Sequence, residues 1–146
     1  YAGLCAALRG AGVEPDPALQ KHALTSEKEG YDAARELLAS GARFDALFAA
    51  SDLIAIGALR ALSEAGLKVP SDVALVGFDD IPAASHSNPP LTTVMQDLRG
   101  AGRALLDVLL HAIDHGEASC QQLPTRLIER ESTLGWQPAE APRVLS

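Results

Sequence analysis

The chain has 146 residues, 47% of them apolar and 21% charged, a balance that fits one globular domain or one large lobe with its own core. With 19 acidic and 12 basic residues its formal net charge is -7, so its surface repels phosphate backbones and is not expected to grip DNA by itself. No apolar run approaches the roughly 20 residues that cross a bilayer, and no membrane partner is expected.

Tyr1 is not an initiator and helix-like sequence starts at once, so the chain reads as a piece of a longer protein. Leu4 and Leu8 stand one turn apart in an Ala-rich helix that Gly10 and Gly12 end. Pro15 and Pro17 mark a loop, and Lys21 to Leu24 is expected as a short strand. Ser26, followed by Glu27 and Glu29, starts a helix that carries Tyr31, Ala34, Leu37 and Leu38 and stops at Gly41. Ala46 to Ala50 is an apolar run of strand length, expected to be buried on both faces. Ser51 or Asp52 caps the next helix, with Ile56, Leu59 and Leu62 on its apolar face. Val73 to Phe78 is the clearest strand, and Asp79 to Pro90 reads as a polar loop. Leu91 to Met95 is extended because Thr92, Thr93 and Val94 are β-branched. Leu98 to His115 is a long helix with Leu105, Leu106, Leu109 and Ile113 on a broad apolar face; Leu123 to Arg130 is a last strand. Gln137 to Ser146 has little apolar pattern and reads as tail.

Helices alternating with continuously apolar strands point to an α/β lobe, three-layered, with a mostly parallel sheet. In such sheets ligands bind beyond the carboxyl ends of the strands. Polar residues stand there: Thr25 and Ser26, Ser51 and Asp52, Asp79 and Asp80. Cys5 and Cys120 lack metal-ligand spacing and read as reduced core thiols, although one disulfide is open. His22, His86, His111 and His115 show no metal spacing either and read as surface or loop residues, so neither a metal nor a cofactor is expected.

Three segments in order resemble one family: FDALFAASDLIAIGALRALSEAGLKVPSDVALVGFDD at 44 to 80, NPPLTTVMQDLRGAGRALLDVLL at 88 to 110, and LPTRLIERES at 123 to 132. Each motif alone is weak. Together they are similar to the lactose/galactose-repressor (LacI/GalR) type of bacterial regulator, over nearly the whole chain up to Gly135. The resemblance implies a periplasmic-binding-protein-like type I fold. Residues 1–135 would be the C-terminal part of the effector-binding domain: most of the C-terminal lobe, with a crossing strand and helix that belong to the N-terminal lobe. It implies a cytoplasmic homodimer that binds a small effector and is not an enzyme. DNA would be reached only through a helix-turn-helix absent from this chain.

The resemblance also assigns residues. Asp79 matches an effector contact, and a carboxylate suits that role because it accepts strong hydrogen bonds from hydroxyls and ring N–H groups. The competing role is a loop carboxylate capping Ile81. Asp80 matches the second acid of that turn, with capping or support of its neighbour at least as fitting. Ser51 matches a contact that is often Asn, with simple capping equally open; Asp52 fits capping better, and Ser26 reads as a cap. Thr25 falls where many relatives have an aromatic platform. Gln96 matches a cleft position, against a bond that only holds the crossing strands. The family's effector-binding arginine falls just before Tyr1. Leu105, Leu109 and Ile113 would face a second subunit, the missing lobe, or both. Two other functions compete. One is a periplasmic-type sugar-binding protein of a transport system. The other is a hydrolase using Asp79 and Asp80 as paired acids, although adjacent residues in a turn usually point apart.

Overall fold

A computed structural model of the chain describes residues 1–117 and 119–137. Its helices are α1 (Ala2–Gly10), α2 (Glu27–Ala39), α3 (Asp52–Glu64), α4 (Pro82–His86) and α5 (Leu98–His115). Its strands are β1 (Ala46–Phe48), β2 (Ala74–Asp79), β3 (Thr92–Gln96) and β4 (Thr125–Ile128), in the sheet order β1-β2-β3-β4. The first three strands run parallel. β4 runs antiparallel to β3, with Thr125 opposite Gln96. The expected α/β class with a mostly parallel sheet is what the chain adopts.

Local chemistry sets the helix ends. The Ser26 hydroxyl accepts from the Glu29 N–H at 3.2 Å, and Glu27 and Glu29 lie in the first turn of α2 where the helix dipole favours anions. α5 starts with the Asp97 carboxylate accepting from Gly100 N–H at 2.9 Å and ends at Gly116, whose φ of 70° closes the last turn.

The core lies between α3 and the sheet. Ala55, Leu59, Leu75, Ala84 and Leu91 pack there, and Leu62 is also fully buried. Strand side chains alternate between faces, so Leu75 and Gly77 point towards α3. A Cβ at Gly77 would collide with the Asp52 carboxylate and Leu91. The segment after β4 closes this core from below. Ser132 donates from Oγ to the Leu75 carbonyl at 2.6 Å and accepts from Thr92 N–H at 2.8 Å, with no exposed surface left.

α2 and α3 pack backbone to backbone. A Cβ at Gly30 would strike the Ile54 main chain, and one at Gly57 would strike the Glu27 carbonyl and the Tyr31 amide. At the rim Tyr31 donates to Glu64 at 2.5 Å and Arg60 pairs with Glu64 at 2.8 Å. The Tyr31 hydroxyl bond, then the Arg60 bond, hold the Glu64 carboxyl below its ordinary value. Gly57→Ala is expected to cost about 1–3 kcal/mol, because rigid main chain must move apart. Gly102→Ala in α5, where a Cβ meets nothing, should instead gain up to about 1 kcal/mol of helix propensity. Urea unfolding of the two variants checks the opposite signs.

Several expectations are corrected. Lys21 to Leu24 form no strand; Ser26 N–H turns back onto the Leu24 carbonyl at 2.7 Å, and Leu24 is exposed. β1 is not buried on both faces, because Leu47 packs on the core while Phe48, on the other face of an edge strand, is 44% exposed. The expected loop 79–90 contains α4, started by Pro82 at its first position. Both cysteines are free, but only Cys5 is buried; Cys120 is exposed in the connection after α5. The four histidines are exposed, as expected. Nearly all of the expected tail, from residue 138 on, lies outside the described residues.

Candidate functional site

The parallel strands deliver polar groups to one edge. β2 ends at Asp79 and β3 ends at Gln96. Three residues past β1, Ser51 stands at the N-terminus of α3. Gln96 Nε2 donates to Asp79 Oδ1 at 2.9 Å, so the structure joins two of the residues singled out in the sequence. Both are partly buried. The bond uses one carboxylate oxygen. The second Asp79 oxygen and the Gln96 carbonyl oxygen retain lone pairs that can accept from hydroxyl or N–H groups.

Ser51 caps α3: its Oγ accepts from Ile54 N–H at 3.3 Å. Its hydroxyl proton is not consumed by that bond, so it keeps one donor. Asp52 does not cap its own helix. Its fully buried carboxylate accepts from Thr93 Oγ1 at 2.6 Å and from Ile81 N–H at 2.9 Å. Asp52, not Asp79, therefore holds the amide of Ile81. That leaves Asp79 free of the capping role that competed with ligand contact.

Asp80 lies beside Asp79 in sequence but has a different partner. Its carboxylate pairs with Arg130 Nη2 at 2.6 Å, and its N–H donates to Thr93 Oγ1 at 3.3 Å. Arg130 also donates from Nη1 to the Leu91 carbonyl at 2.8 Å. Sequence reading missed Thr93, Arg130 and Ser132. Thr93 read only as a β-branched strand residue and Arg130 only as the end of the last strand, because their partners are 41 and 50 positions away. The one available signal was that a polar residue in an apolar strand, once buried, needs a partner.

Thr25 is exposed, one residue before the α2 cap Ser26, and among the described residues no hydrogen bond links it to this group. Leu105, Leu109 and Ile113 lie on α5, 71%, 55% and 69% exposed; no residue of that helix is buried, so its apolar face is uncovered in this chain. Among the described residues no three His, Cys, Asp or Glu side chains could hold a metal ion. No described helix is long and apolar enough to cross a membrane. A concavity of about 420 Å³ lies elsewhere, against α2 and α3, and is lined by Glu27, Lys28, Tyr31, Ile56, Gly57 and Arg60.

A family profile described as "Periplasmic binding protein-like domain" matches residues 1–133. The chain belongs to this family. The likeness to lactose-repressor-type regulators is also borne out. The chain is 41% identical over 128 residues to the HTH-type transcriptional regulator CelR of Thermobifida fusca, covering 86% of this chain and 38% of the relative. It is 43% identical over 105 residues to the ribose operon repressor of Escherichia coli K12, covering 70% and 32%. A solved CelR–cellobiose complex superposes with a TM-score of 0.82 at 40% identity, over 89% of this chain and 40% of that one. A lac repressor dimer bound to operator and the anti-inducer ONPF superposes with a TM-score of 0.84 at 33% identity, over 92% and 46%. The chain thus spans less than half the length of these regulators.

Proposed function

We propose that residues 1–135 are the C-terminal part of the effector-binding domain of a bacterial transcription regulator. The effector is a small polyhydroxylated or nitrogen-rich molecule: a sugar, nucleoside or purine. The observation that carries this is the Asp79–Gln96 pair at the carboxyl ends of adjacent parallel strands, with acceptor lone pairs to spare. Asp79 contacts the effector, Gln96 orients Asp79 and offers its own carbonyl, and Ser51 donates its remaining proton. Thr25, at the start of α2, borders the cleft without a stacking platform. Asp52 supports the turn from within, and Asp80 and Ser26 serve local structure.

Effector binding favours one lobe arrangement and so changes operator affinity of the full-length homodimer, which requires unequal affinity for the two arrangements. DNA is reached through a helix-turn-helix outside this chain, and a regulator acting on operator DNA works in the cytoplasm. The α5 face with Leu105, Leu109 and Ile113 is covered in the full-length protein, by the rest of the domain and by a second subunit. Turnover forms no part of this reading: Asp79 and Asp80 bond to different partners and do not act as paired acids.

Its relatives CelR, the ribose operon repressor and the lac repressor are transcription regulators, which favours a regulator over a transport protein. The test is fluorescence anisotropy of the full-length protein on a duplex selected from random DNA, titrated with cellobiose, ribose, lactose, adenosine and guanine. At least one compound should shift duplex affinity tenfold or more. Sugar binding without any DNA binding would favour the transport alternative. DNA binding that no compound alters would sink the sensing claim.

A further inference from the structure

Asp79 and Asp80 both occupy the left-handed region, with φ of 114° and 57°. Side-chain-bearing residues rarely go there, and two in succession persist only where the surroundings over-determine them. Asp52 holds the Ile81 amide and Thr93 accepts from the Asp80 amide, so two anchors come from the lobe's own core. The third comes from 50 residues further along the chain. One guanidinium nitrogen of Arg130 binds the Asp80 carboxylate at 2.6 Å, and another binds the Leu91 carbonyl at 2.8 Å. The Arg130 N–H also donates to Thr92 Oγ1 at 2.8 Å, which fixes the base of the side chain. The two charged side chains are only 19% and 20% exposed, so water competes weakly for them.

We propose that Arg130 is a positioning residue of the effector site: it touches no effector, but by clamping Asp80 to the start of β3 it holds the Asp79 carboxylate where an effector meets it. This rests on the reading of Asp79 as an effector contact. The clamp needs a fork. Arg supplies two fixed N–H directions, one for a carboxylate and one for a carbonyl, whereas Lys offers a single point charge. It also explains why only one acid of the pair faces the effector. Arg130 consumes the charge of Asp80 and leaves that of Asp79.

The experiment uses the full-length protein with Arg130→Met, Arg130→Lys and Asp80→Asn. Amide hydrogen exchange of residues 79–82 is compared with that of β1, and Kd is measured by calorimetry for cellobiose, ribose, lactose, adenosine and guanine. In Arg130→Met, exchange at 79–82 should rise at least tenfold relative to β1, and Kd for whichever probe the wild type binds should rise about tenfold. Arg130→Lys should fall between it and the wild type, and Asp80→Asn should add little to Arg130→Met. A merely structural role would lower the unfolding temperature while leaving Kd of the folded protein unchanged, and that result overturns the proposal. So does unchanged exchange at 79–82. If Arg130→Met does not fold, Arg130→Lys and Asp80→Asn decide by the same two readouts. Wild-type protein that binds none of the probes fails the effector reading and this proposal with it; wild type that binds, with variants that bind equally well, fails the proposal alone.

Discussion

Asp79→Ala in the full-length protein is expected to weaken effector binding by roughly 100-fold and to cost about 1 kcal/mol of stability, because Ala is strained at the positive φ of this position. The carboxylate offers an effector charge-assisted hydrogen bonds, each contributing about 1.5–3 kcal/mol. Losing one or two of them corresponds to that factor, at about 1.4 kcal/mol per tenfold. Among the described residues Asp79 accepts only from Gln96, at the partly buried edge, so the lost bond adds little to that cost. Asp79→Asn is the informative companion. Asn tolerates the left-handed backbone and keeps an acceptor oxygen, but it loses the charge. It should fall about tenfold short of the wild type. Calorimetric titration checks both, and equal affinity in all three proteins would remove Asp79 from the site.

Asp52→Ala should be the most destabilising change in the lobe, at about 3–5 kcal/mol. This residue has no exposed surface and satisfies both the Thr93 hydroxyl and the Ile81 amide. Removing it strands the buried Thr93 hydroxyl and the partly buried Ile81 amide at the start of α4, and breaking a buried charged network costs on this order. Asp52→Asn retains shape and one acceptor, so its cost should be about half. Gly77 belongs to the same arrangement, since any side chain there would occupy the space of the Asp52 carboxylate. Urea unfolding monitored by circular dichroism measures these losses. A loss below about 1 kcal/mol for Asp52→Ala would mean that the network does not stabilise the lobe.

Much of this was legible in the sequence because it is local. The long helix was expected at Leu98 to His115 and spans those residues, since its start, its apolar spacing and Gly116 all lie within the segment. Val73 to Phe78 announced β2 through unbroken apolar residues. Lys21 to Leu24 misled because strand propensity means little without a pairing partner. The chain-order pattern located Asp79 and Ser51 at strand ends, which is where they stand. It could not assign their bonds. Ser51 and Asp52 are adjacent, yet one caps its own helix while the other reaches Ile81, 29 positions on. Asp79 and Asp80 are adjacent too, and only the tertiary positions of Gln96 and Arg130 tell them apart.

The proposed effector position is the carboxyl edge of the sheet, against Asp79. A crystal structure of the full-length protein with whichever titrated compound shifts its DNA affinity tests this most directly. The compound's hydroxyl or N–H groups should lie within hydrogen-bonding distance of the Asp79 carboxylate, with Gln96 still bonded to Asp79 and Arg130 to Asp80. A compound seated in the concavity against α2 and α3, between Tyr31 and Arg60, with Asp79 untouched, would contradict it.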